Sequence, residues 1–285
     1  MPTEKRQRQK AGRQARLDQE RKQAKQRQLL RRVGIIVVVA AVIVGSVYLL
    51  TKGSSTPPPA PTPQEAANSL AVKAGCPSSP TTRTNTLQWS HQPAMTIDTK
   101  KTYVAKFVTT AGTFTAVLNT ATAPVNTNNF IFLANQGYYK CVTFHRVIPQ
   151  FVDQGGDPTA TGTGSPGYTV APNEFPKAAA DAKSQYSLGA IAMANSCPQG
   201  DTPAKCPDTN GGQFFIVAGA EGEALPPEYT NIGQVISGMS VVEKINSEGN
   251  VSSPPPDVWN RILSLTITNP SPTNSNLPTT TTTTS

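Results

Sequence analysis

The chain has 285 residues, of which 15% are charged and 37% hydrophobic, with 26 Pro and 21 Gly. Ordinary domains carry about 25% charge, so this balance of few charges and many turn residues argues against a coiled coil or an all-helical bundle. The net charge of +8 suggests a nucleic-acid binder only until the charges are placed: residues 1–32 hold twelve Lys/Arg against three Asp/Glu, leaving thirteen against fourteen for everything after. The basicity belongs to a tail, the folded part is near neutral, and no nucleic-acid partner is expected.

Residues 33–50, VGIIVVVAAVIVGSVYLL, run for 18 residues without a charge. As a helix at ~1.5 Å per residue this covers about 27 Å, just enough for a bilayer core of about 30 Å. Arg31 and Arg32 are placed to snorkel at one interface, and Tyr48 suits the other. A cleavable signal peptide has a shorter apolar region behind a short basic stretch, and neither feature fits a 32-residue tail. A lipoprotein fits worse, because Cys76 lies 26 residues beyond Leu50. The positive-inside rule then puts the amino terminus in the cytoplasm and everything after residue 50 outside, as a single-pass membrane protein.

Residues 51–75 read as a Pro/Ser/Thr-rich spacer, with GSSTPPPAPTP at 53–63 too poor in apolar side chains to build a core. Residues 269–285 are a segment of the same kind, expected to be disordered. Between them, 76–268 is long enough for one domain with its own core. Its four cysteines, Cys76, Cys141, Cys197 and Cys206, all fall on the side expected to be oxidising. Sequence allows three pairings; the nine-residue separation of Cys197 and Cys206 favours a local bridge, which leaves Cys76 for Cys141. A zinc site finds no CxxC pair to support it, and no metal is expected.

Within the domain, 103–109 and 113–119 are rich in β-branched and aromatic residues and flank Ala111-Gly112, which predicts a hairpin. Pro124 and Gly137 bracket a helix over 125–136. Strand-like runs follow at 142–148, 190–194, 214–217, 231–235 and 262–267, with a second helix at 239–246 ending near Gly249. Many short strands with two helices predict a mainly β, antiparallel barrel or sandwich.

The most informative stretch is FHRVIPQFVDQGGDP at 144–158. Strand alternation predicts Arg146 on one face with Phe144 and Ile148, and an arginine among apolar neighbours needs a partner or a task. Met193-Ala194-Asn195 and NGGQFFI at 210–216 add amides and aromatics. Alternation also predicts that Phe214 and Phe215 point oppositely, so that one at most lines a site. His145 reads as a hydrogen-bonded structural histidine, not a general base.

These blocks, followed by LPPEYTNIGQVISGM at 225–239, resemble the cyclophilin family of peptidyl-prolyl cis-trans isomerases over about 103–267, with four motifs in the family's order and spacing; the anchor and tail make the chain similar to membrane-anchored bacterial members. The resemblance implies a closed eight-stranded antiparallel barrel capped by two helices, with substrate bound on the barrel's outer face. It also implies that Arg146 is the catalytic cation and Gln154 orients it and binds substrate backbone. Phe151, Val152, Phe215 and Leu225 would line a proline pocket, with Ala194, Asn195, Gln213 and Tyr229 completing the substrate surface.

The chemistry suits such residues. A peptide bond resists rotation by about 18–20 kcal/mol of resonance, and an X-Pro bond left alone takes tens to hundreds of seconds to isomerise. No covalent bond has to break, so no cofactor is needed. A permanent cation aimed at the prolyl amide favours a pyramidal nitrogen, and an apolar slot holds the ring. Two positions depart from the family pattern. Ala224 stands where many members have a tryptophan that contacts cyclosporin, which puts cyclosporin binding in doubt. Tyr229 replaces a histidine common in eukaryotic members. A non-catalytic chaperone or surface module that holds proline-containing segments is the rival reading, kept open by Ala224 and by the long loop around Cys197 and Cys206. Gly162 to Gly167 formally matches GxGxxG, but it contains Pro166 and no helix follows, so it reads as a loop that touches substrate and not as a dinucleotide site.

Overall fold

The computed structural model describes residues 3–51, 59–177, 186–196, 207–252 and 255–269. It divides into two units, Met1–Ala60 and Pro61–Ser285. Among the described residues the first holds one helix, α1 (Thr3–Thr51). Within it Arg21–Val47, 27 residues with a mean hydropathy of 2.2, is long and apolar enough to cross a membrane.

The second unit begins with α2 (Pro63–Lys73), inside the range read as spacer. The sequence expectation missed a capping box: Thr62 Oγ1 accepts from the Glu65 amide at 3.2 Å while Glu65 Oε2 accepts from the Thr62 amide at 2.8 Å, and Pro63 begins the first turn. Ala67 and Ala71 are its buried face. Just after it, Cys76 is bonded to Cys141 across 65 residues. Cys197 and Cys206 lie outside the described residues.

Eight strands follow: β1 (Tyr103–Thr109), β2 (Thr113–Leu118), β3 (Arg146–Ile148), β4 (Val152–Gly155), β5 (Ala190–Met193), β6 (Phe214–Val217), β7 (Asn231–Ser237) and β8 (Ile262–Thr268). They form one antiparallel sheet in the order β3-β4-β6-β5-β7-β2-β1-β8. The β1–β2 hairpin turns where expected, with Gly112 at φ +143° and so placed that a Cβ would lie 2.8 Å from Val241 Cγ2. The sheet curls but does not close, which corrects the closed barrel. β3 has only three residues, and the edges meet through one bridge, Thr143 to Arg261, in the segment before β3.

That irregular segment also corrects the predicted strand at 142–148. Regular pairing starts only at Arg146, so alternation does not carry back to Phe144: Phe144 and Val147 both sit in the core, while Arg146 faces out. β4 had no strand signal, because Asp153 and Gln154 interrupt its apolar run; its pairing with β3 and β6 makes it a strand.

Helix α3 (Pro124–Asn135) packs against β8 and β7, and α5 (Met239–Ser247) against β2, β4 and β3. The first turn of α3 is capped by Glu174, whose two carboxylate oxygens accept from the Val125 and Asn126 amides at 3.0 and 2.9 Å. A single turn, α4 (Ala220–Glu223), precedes Leu225. The core is aromatic: Phe107 stacks on Phe114 at 4.4 Å, and Phe214 meets Phe130 and Tyr139 edge-on at 5.6 Å each.

Candidate active site

Strand register assembles the site. Arg146 on β3 is paired with Gln154 on β4, Gln154 with Phe215 on β6, and Phe215 with Ala192 on β5, so one row crosses four strands on the outer face. Neighbours two residues along share that face. Val152, Tyr186, Ala190, Ala192, Phe215 and Val217 thus form a second apolar cluster, separate from the core. Phe151, Ala194, Leu225 and Tyr229 pack around it. Phe214 and Ile216 point into the core, as alternation predicted. The Tyr229 ring stands edge-on to Phe215 at 5.2 Å, with its backbone held by Tyr186, whose hydroxyl donates to the Tyr229 carbonyl at 2.7 Å and accepts from its amide at 3.0 Å. Nothing in the sequence marked Tyr186 for this.

A chain of amides borders the cluster. Gln213 Nε2 donates to the carbonyls of Gly162 and Gly164, at 2.8 and 3.0 Å. Its Oε1 is thereby turned toward Gln154, whose Nε2 donates to it at 3.1 Å. Gln154 Oε1 is left to accept from Arg146 Nη1 at 3.4 Å. Backbone carbonyls at one end therefore decide which way both side-chain amides face, and both present oxygen toward the guanidinium. The guanidinium carbon lies 5.6 Å from the centre of the Phe151 ring.

The loop supplying those carbonyls is folded around Asp157, which is buried. Its carboxylate accepts from the amides of Thr159, Thr161, Gly162 and Gly164 at 2.7, 3.1, 2.6 and 3.1 Å. Burial raises its pKa, but these bonds outweigh it, and the carboxyl titrates below its ordinary value. Asp157 was legible as part of QGGD, but its anchoring role was not. Gly156, at φ +89°, lets the chain pass so close to Gly212 that any Cβ would collide with the carbonyl there.

Arg146 is half-buried, and burial pulls its pKa down while Tyr229 opposes the shift. Among the described residues no carboxylate forms an ion pair with it. It is a cation with one glutamine acceptor and donors to spare. His145 corrects an expectation: it is buried, but neither ring nitrogen has a hydrogen-bond partner. Its irregular segment brings no acceptor within reach, and burial lowers its pKa. It is a buried ring, not a hydrogen-bonded one.

Two clefts flank the row. One, of about 450 Å³, is lined by Gln154, Gly162, Gly164, Asn195, Thr209 and Gln213, among others. The loop that only mimicked a dinucleotide motif is thus a wall of this cleft. Asn195 Nδ2 donates to the Glu228 carbonyl at 2.6 Å. The other cleft, of about 490 Å³, is lined by His145, Arg146, Gln154, Gly162, Pro255 and Trp259, among others. Every residue expected at the site, from Phe151 to Tyr229, lies on this row, in its cluster or along its clefts. Ala224 is exposed, while Leu225 beside it packs on the cluster.

The family model described as "cyclophilin type peptidyl-prolyl cis-trans isomerase/CLD" matches residues 104–267. A peptidyl-prolyl cis-trans isomerase-like 1 protein of Aspergillus fumigatus is 39% identical over 139 residues, covering 49% of this chain and 79% of that protein. The isomerase ppi1 of Schizosaccharomyces pombe is 39% identical over 137 residues, covering 48% and 81%. A crystal structure of a Cryptosporidium parvum cyclophilin-type isomerase superposes with a TM-score of 0.50 at 28% identity, covering 59% of this chain and 99% of that one. With a match across more than half its length, and the row of Arg146, Gln154 and Phe215 built on the strands that match, the chain belongs to the cyclophilin-type peptidyl-prolyl cis-trans isomerases.

Proposed function

We infer that the protein turns X-Pro bonds of exported or cell-envelope polypeptides, assisting their folding, from a membrane anchor that holds the isomerase domain outside the cytoplasm. The observation that carries the catalytic part is the Arg146–Gln154–Gln213 chain beside the cluster of Val152 and Phe215. The apolar cluster holds the prolyl ring, and Arg146 donates toward the prolyl nitrogen as it loses conjugation with the carbonyl. Gln154 and Asn195 hold the neighbouring backbone. Because the bonds to Arg146 strengthen as the nitrogen becomes pyramidal, they stabilise the twisted state more than either planar isomer.

The outward placement is supported by the charge asymmetry around 33–50 and by the Cys76–Cys141 bridge, a bond characteristic of oxidising compartments. The test follows cis-to-trans exchange of a short X-Pro peptide by NMR, with the full chain in detergent micelles beside Arg146→Ala. Arg146→Ala is expected to lose about hundredfold in kcat/KM while staying folded. If the parent binds the peptide and does not accelerate exchange, the domain is a proline-binding module. Protease protection in intact cells tests the topology: cleavage must remove 59–285 and spare 1–32.

A further inference from the structure

We propose that the cleft between Arg146 and Trp259 is a substrate subsite that takes an aromatic side chain flanking the X-Pro unit, and that helix α2 holds its far wall in place. The inference rests on the isomerase reading. The cleft is continuous with the catalytic row, sharing Arg146 and Gln154 with it and Gly162 with the neighbouring cleft. The rest of its lining is the indole of Trp259, the ring of Pro255, the buried ring of His145, and Ala160 and Thr161. Trp259 is only partly buried and belongs to none of the apolar clusters. An indole and a guanidinium lining one cleft both favour an aromatic ring in it, the first by edge or stacked contact and the second by cation–π contact. An acidic side chain would instead compete for Arg146, the group the prolyl amide needs.

The wall is held from a distance in sequence. The Trp259 amide donates to Gln64 Oε1 of α2 at 2.8 Å. Two residues on, the buried Arg261 donates to Asn68 Oδ1 of α2 at 2.8 Å, and to the consecutive carbonyls of Pro77 and Ser78 at the start of the turn after Cys76. The Cys76–Cys141 bond fixes that turn to the segment leading into β3. A leader expected to be a spacer is therefore a brace behind one wall of the cleft.

The test compares exchange and binding for Ala-Ala-Pro-Ala, Ala-Phe-Pro-Ala and Ala-Ala-Pro-Phe, using the full chain in micelles. The parent should favour one Phe peptide over the Ala peptide by about fivefold to tenfold in affinity or kcat/KM. Trp259→Ala should abolish that preference and leave the Ala peptide unchanged, Trp259→Phe should retain most of it, and Gln64→Ala should reduce it. Equal handling of the three peptides by the parent, or an equal loss on all three in Trp259→Ala, overturns the subsite. A parent that shows the preference in binding but does not accelerate exchange overturns the isomerase reading and leaves the subsite standing.

Discussion

Strand β6 serves two apolar clusters that behave differently. Phe214 and Ile216 enter a core in which each ring meets other rings, whereas Phe215 and Val217 build a cluster on the outer face whose border is a cation and two amides. Two adjacent phenylalanines, chemically identical, thus hold opposite jobs. What separates them is the two-residue period of the strand and what its neighbours β4 and β5 place beside each face. Burial alone does not mark a site; the polar border does.

Phe214→Ala should break the inner cluster, costing about 3–5 kcal/mol in denaturant unfolding. Phe215→Ala should cost less stability and mainly raise KM. The inner side also contains Asp153, whose carboxyl is pushed up to about 8 by burial, against a bond from Asn246 Nδ2 that lowers it. Because its folded value lies above the unfolded one of about 3.8, stability should be greatest below about pH 4 and fall as pH rises through about 8. Thermal unfolding between pH 4 and 9 should show that fall, and Asp153→Asn should flatten it. On the outer side, Arg146→Lys keeps the charge but loses the fork and should lower kcat/KM by tenfold or more, with melting temperature nearly unchanged. Gln213→Leu leaves Gln154 free to turn its amide, with an expected loss of about tenfold in kcat and little change in stability.

Residues with strong local signals were legible. The β1–β2 hairpin, β6, α3 and α5 appear within a residue or two of where turn residues and periodicity put them, and the motif from Phe144 to Asp157 located the row that register then assembled. What escaped was decided by distant partners. β4 is a strand because β3 and β6 flank it, not because of its own residues. Thr62 and Glu65 did announce α2, but the prolines before them dominated the reading. His145 could not be seen to lack partners, nor Trp259 to share a cleft with Arg146, because both follow from how the segment before β3 meets the one before β8.

The bond between Cys76 and Cys141 also sets where mechanical load enters the domain. A pull on the chain at Pro61 runs along α2 and crosses the sulfurs to Cys141, leaving β1, β2 and all of α3 inside a covalent loop that carries no tension. Reducing the bond reroutes the same pull into β1, next to the edge strand β8, and lets the 65-residue span, about 200 Å when extended, be drawn out as those elements unravel. Tethered by its leader, the oxidised domain bears force at the root of β3 and shields β1 and β2 from being unzipped.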